Sequence, residues 1–68
     1  MANAVYKKTA VVGTSAESFS AAAAAAVEKA GETIRNMRWF EVTDQRGKIV
    51  DGKVAEYQVT LLIGFHLE

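Results

Sequence analysis

Two long strand-like runs, residues 37–49 and 54–67, stand on either side of Asp51-Gly52. That dipeptide constrains the fold more than any other feature of the chain. An Asp-Gly pair suits the positive φ angles of a type I′ turn, whose twist matches a two-residue β-hairpin. With such a turn, Val50 faces Lys53 and the rest of the register follows: Trp39 lies opposite Gly64, and Gln58 opposite Gln45. The later run alternates cleanly. Tyr57, Val59, Leu61, Ile63, Phe65 and Leu67 share one face; Gln58, Thr60, Leu62, Gly64 and His66 share the other. In the earlier run, Phe40 and Val42 go to one side and Trp39 and Glu41 to the other.

Upstream, Val5 to Val12 reads as a strand closed by Gly13. Its alternation is imperfect, with Tyr6, Ala10 and Val12 on one side and Val5, Thr9 and Val11 on the other. That pattern suits an edge strand or one covered on both faces. Lys7 and Lys8 would blunt an exposed edge. Thr14-Ser15-Ala16-Glu17 has the form of a capping box, with Thr14 as N-cap and Glu17 reaching back from N3. Phe19, Ala23, Val27, Ala30 and Ile34 follow at helical spacing. The run Ala21 to Ala26 is rich in the best helix former, and its small side chains let a sheet approach closely. Gly31 weakens a helix by about 1 kcal/mol relative to alanine. Arg35 and Arg38 complement the negative end of the helix dipole and favour a helix running to about Asn36.

The predicted fold is therefore α+β: a single β-α-β-β domain over residues 1–68, with a three-stranded antiparallel sheet packed on one helix. The face of the sheet away from the helix, with Trp39, Thr60, Leu62 and His66, is left uncovered and wants a partner. Size points the same way. A chain of 68 residues buries only about 60% of its unfolded surface and is marginal alone. With no cysteine and one histidine, neither disulfides nor a metal can compensate. Association is the expected remedy, and an apolar fraction of 50% is high for so small an interior. A formal net charge of zero argues against a general nucleic-acid binder, which needs a basic face. No apolar run approaches the roughly 20 residues of a membrane span, and the N-terminus lacks the charged-then-apolar order of a signal peptide. A soluble, cytoplasmic protein is expected.

The residues that stand out offer little for catalysis. Trp39 is either an interface anchor or a stacking platform for a planar ligand. Gln58 is either a solvated strand residue or, if buried, a donor and acceptor suited to a heterocycle edge. Arg46, beside Gly47, is a bulge residue in solvent or a phosphate ligand. His66 has no second metal ligand near it. Glu41 and Asp44 are expected on opposite faces, which argues against a carboxylate pair. No nucleophile-base arrangement, phosphate-cradling glycine loop or metal-ligand spacing occurs, and Gly13-Thr14-Ser15 is too short to specify an anion site. The chain is not expected to be an enzyme. Trp39 and Gln58 lie six pairs apart, roughly 20 Å at strand rise. They would meet one small ligand only from different subunits of a symmetric oligomer.

Val12-Gly13-Thr14-Ser15, Trp39-Phe40-Glu41-Val42, Arg46-Gly47, Tyr57-Gln58-Val59 and Gly64-Phe65-x-Leu67-Glu68 together resemble the dodecin family, in order and spacing over nearly the whole chain. The resemblance implies small β-α-β-β subunits that assemble into a hollow homododecamer. It also implies flavins held in pairs between tryptophans of neighbouring subunits, with a glutamine bonded to the isoalloxazine edge. In this sequence the stacking residue would be Trp39 and the edge-reading residue Gln58. Arg46 matches a family position, and His66 replaces the arginine usual in bacterial-type members. Family members store or sequester flavin and quench its photochemistry. The bacterial type favours FMN and the archaeal type riboflavin, so FMN is the favoured cofactor here with riboflavin next. Flavin and further copies of the chain are the implied partners, with coenzyme A as an additional candidate. The alternative from a different class is a structural or interaction protein whose open face serves only as an oligomer interface.

Overall fold

A computed structural model describes residues 3–68. The chain forms β1 (Tyr6–Ser15), α1 (Phe19–Ala30), β2 (Met37–Val50) and β3 (Lys53–His66) in that order. The sheet is antiparallel with spatial order β1-β3-β2, which bears out the expected β-α-β-β fold. Its most regularly alternating strand, β3, is central. Asp51 at φ 53° and Gly52 at φ 75° make the hairpin turn, since Asp tolerates and Gly readily adopts this conformation.

The helix begins later than the capping-box reading placed it. Thr14 and Ser15 stay in β1, paired with Gln58 and Tyr57. Ser18 is the N-cap: its hydroxyl accepts from the Ala21 N–H at 3.0 Å. Continued pairing keeps Thr14 extended, so its hydroxyl is not the cap. Ser15 instead accepts from the Glu17 N–H at 2.9 Å in the connecting turn. Gly13 does not close the strand either. It pairs with Val59, and a Cβ there would collide with the Ala22 carbonyl oxygen and lie 2.8 Å from the Ala26 Cβ. Its missing side chain is what lets the helix backbone settle onto β1.

This close approach also shifts the buried stripe. Ala22, Ala26 and Ala30 form the buried line of α1, and Phe19, Ala23 and Val27 pack beside it half-buried. The helix ends at Ala30, short of the expected Asn36. Beyond it, Glu32, Thr33 and Ile34 donate to the carbonyls of Lys29, Ala30 and Ala30 at 3.1, 3.1 and 2.9 Å. These bonds close the helix through a turn, and Asn36 at φ 64° redirects the chain into β2. Lys29, not Arg35 or Arg38, is the basic residue in the last turn.

The core is correspondingly small. Among the described residues, the buried apolar side chains are Ala22, Ala26, Ala30, Val59, Leu61 and Ile63. Tyr57 and Phe65 are half-buried, and Leu67, expected on the core face, lies past the end of β3 and is 43% exposed. The helix packs on β1 and β3, so β2 runs out beyond its cover. Phe40 and Val42 point to the helix side as expected but remain 48% and 44% exposed. They border a groove of about 690 Å³ with Phe19, Ala23 and Val27. The subunit is 57 × 20 × 13 Å with a radius of gyration of 14.3 Å, against about 11 Å for a compact chain of this length. The hairpin thus extends past the helix and leaves Phe40 and Val42 only partly covered on the helix side.

Candidate functional site

The outer face of the sheet is built around Gly64. Trp39 pairs with it, as the turn predicted. A Cβ on Gly64 would collide with Cζ2, Cε2 and Cη2 of the indole. The benzene half of Trp39 therefore lies directly over the Gly64 backbone, in space that any other residue would fill. Trp39 is 42% exposed, so one side of the ring rests on backbone while much of the rest is open.

Tyr6 packs against this ring, and His66 and Lys8 lie on the same face of the sheet. Tyr6 pairs with His66 across β1 and β3, and its ring meets Trp39 edge-on, with centroids 5.0 Å apart and planes at 67°. The same Tyr6 ring lies 5.4 Å from His66 at 64°. Both contacts have the edge-to-face geometry that aromatic quadrupoles favour. Lys8, which pairs with Gly64 on the β1 side, reaches over β3 to form an ion pair with Glu41. That pair is half-exposed and contributes little to stability.

A second cluster lies toward the hairpin end. Here the register departs from a constant sum. β-Bulges leave Thr43 unpaired in β2 and Ala55 unpaired in β3, and the two offsets cancel by the time the chain reaches Trp39. Between them, Gln58 pairs with Arg46 rather than with Gln45. Gln45 turns instead to the helix-side groove. The Thr43 hydroxyl donates to the Thr60 carbonyl at 3.3 Å and so stitches the bulge to β3. A bulge of this kind shifts every later side chain to the opposite face. It brings Arg46 beside Gln58 in a recess also bordered by Gly47, Lys48 and Glu56.

The same bulge corrects the reading of the acidic residues. Glu41 pairs with Leu62 and Asp44 with Thr60, so the two carboxylates share the outer face. Each has its own cation: Glu41 binds Lys8, and Asp44 accepts from Arg46 Nε at 2.9 Å. Two separately paired carboxylates still do not form an acid-base couple.

The four predicted binding residues thus fall into two groups. Trp39 and His66 meet around Tyr6; Arg46 and Gln58 meet at the bulge. Gln58 is six residues from Gly64 along β3, about 20 Å at strand rise, so no single subunit presents both groups to one small ligand. Tyr6 was not among the residues singled out from the sequence. Its place depends on β1 pairing with β3, and no turn between those strands announces that register.

The sequence profile of the family Dodecin matches residues 5–68. Dodecin from Thermus thermophilus is 52% identical over 64 residues, covering 94% of this chain and 93% of the relative. The solved structure of dodecin from Streptomyces coelicolor superposes with a TM-score of 0.93 at 50% identity, covering 100% of this chain and 97% of that one. A calcium dodecin from Mycobacterium tuberculosis, described with a novel calcium-binding site, has a TM-score of 0.80 at 32% identity, over 94% of this chain and 91% of its own. Among the described residues here, no group of three or more His, Cys, Asp or Glu side chains is placed to hold a metal ion. None of the described helices is long and apolar enough to cross a membrane.

Proposed function

The chain belongs to the dodecin family, and on that premise we propose that it is a flavin-binding storage protein, with FMN as the favoured ligand and riboflavin next. The observation that carries this reading is the Trp39 indole lying over the Gly64 backbone with an open surface. A planar, apolar support of that kind fits a planar heterocycle, and stacking on it needs no matched hydrogen-bond pattern. When bound, flavin supplies an electron-poor ring whose excited state is quenched by contact with an electron-rich indole. Trp39 provides the support and the electron-rich contact. Gln58 offers a donor and an acceptor to the ring edge. Arg46 supplies positive charge beside Gln58, shared with Asp44. His66 borders the stacking residue through Tyr6, and its imidazole leaves that border shorter than an arginine would.

The roughly 20 Å between Trp39 and Gln58 supports a site shared between copies of the chain. In the proposed homododecamer, Trp39 of one subunit and Gln58 of another face the same ligand. The open helix-side surface of β2 and the 57 Å length of the subunit support such packing. The reading assigns no catalytic residue. The protein binds and shields flavin and turns nothing over.

Titrating FMN into Trp39→Ala tests this. Stacking on an aromatic side chain contributes about 1–3 kcal/mol by analogy with nucleobases, so affinity should fall by about five- to 150-fold and the quenching of bound flavin should be lost, with the assembly intact. A variant that quenches flavin emission as the parent does would rule out the stacking role. If the parent itself assembles but binds no flavin, the open face is an oligomer interface and nothing more.

A further inference from the structure

We infer that Tyr6 is a positioning residue for the binding site: it holds the indole of Trp39 over Gly64, and it links His66 to that indole. The inference rests on the flavin reading above for its functional meaning, but its structural part stands independently. Trp39 belongs to β2, an edge strand beyond the cover of the helix, and the backbone alone does not fix its ring. Gly64 offers a flat floor without a wall. The wall comes from the opposite edge of the sheet, where Tyr6 reaches across β3 and sets its ring at 67° to the indole, 5.0 Å away. Because Gly64 has no side chain, nothing stands between the two rings.

Tyr6 is also the shared neighbour of the cluster, with the His66 ring 5.4 Å from its own. A change at His66 therefore reaches the indole through the tyrosine ring as well as through any direct contact with a ligand. The ring, not the hydroxyl, makes both contacts. Phenylalanine should accordingly replace Tyr6 with little loss, whereas a residue without a ring should release Trp39.

The test uses the full chain, with Tyr6→Val to keep strand propensity and Tyr6→Phe as the conservative variant. Two readouts are compared: acrylamide quenching of Trp39 emission in ligand-free protein, and affinity for FMN. Trp39 is the only tryptophan, so the first readout reports its ring alone. For Tyr6→Val, quenching by acrylamide should rise about twofold and FMN affinity should fall by about five- to tenfold, the scale of one lost aromatic pair. Tyr6→Phe should stay within about twofold of the parent in both. Should valine prevent assembly, Tyr6→Met retains apolar bulk without a planar ring and should give the same pattern. A ring-less variant with parental acrylamide quenching and parental FMN affinity would overturn the role of Tyr6. Failure of the parent to bind FMN would overturn the storage reading alone, because the ligand-free emission still decides whether Tyr6 holds Trp39.

Discussion

Gly64 makes the Trp39 platform by having no side chain. In Gly64→Ala the added methyl group would occupy the position of the indole, and either the ring leaves the sheet or the strands separate. Overpacking of this kind costs about 1–3 kcal/mol, and most of the effect should appear in the ligand site, since Trp39 lies on an open face. FMN affinity should fall at least as far as in Trp39→Ala, while Trp39 emission shifts toward that of a solvated indole. Gln58→Ala should weaken binding by about 1–2 kcal/mol, the scale of one hydrogen bond, with quenching of the bound fraction retained; unchanged affinity in a calorimetric titration would remove Gln58 from the site. The pairing of Trp39 with Gly64 was legible in the sequence because the two bulges on the way to it cancel. The partner of Gln58 was not, because it lies between them. Strict alternation carries no mark of an unpaired Thr43 or Ala55, and the bulge is held by a side-chain hydroxyl bonding a distant carbonyl. Two consequences followed for the site, Arg46 joining Gln58 and Asp44 joining the face of Glu41.

At the scale of elements, the β1–α1 contact is the most demanding. Gly13 and the Ala22-Ala26-Ala30 line bring helix and strand close enough that one Cβ collides with backbone. Gly13→Ala should therefore lower stability by about 2 kcal/mol or more, at the upper end for a small overpacked residue. A thermal or denaturant midpoint equal to the parent's would show that α1 is free to shift outward. Composition and spacing exposed the helix and all three strands, since alanine content and alternation are direct physical preferences. They did not expose the helix ends. Thr14, Ser15 and Ser18 are all competent caps, and the choice among them is made by how far β1 pairs with β3. The last turn is likewise decided by the positive φ of Asn36, which aims the chain into β2. The basic residues beyond Ala30 had suggested a longer helix from local electrostatics alone.

Across the whole molecule, a chain of 7.3 kDa leaves Phe40, Val42, Ile49, Val50 and Val54 substantially exposed and extends over 57 Å. Exposed apolar surface of this kind favours association, and on the proposed reading the two groups of site residues meet one ligand only between subunits. Assembly and ligand binding can be read on a single sample, and the storage reading needs both. The decisive measurement is an FMN titration, read by flavin emission, on purified protein whose mass in solution is determined in parallel. The account predicts a shell of twelve subunits, about 88 kDa from 7.3 kDa each, that extinguishes FMN emission up to one flavin per Trp39. Undiminished emission with the assembled protein in excess, or full quenching by a species of single-subunit mass, would contradict it.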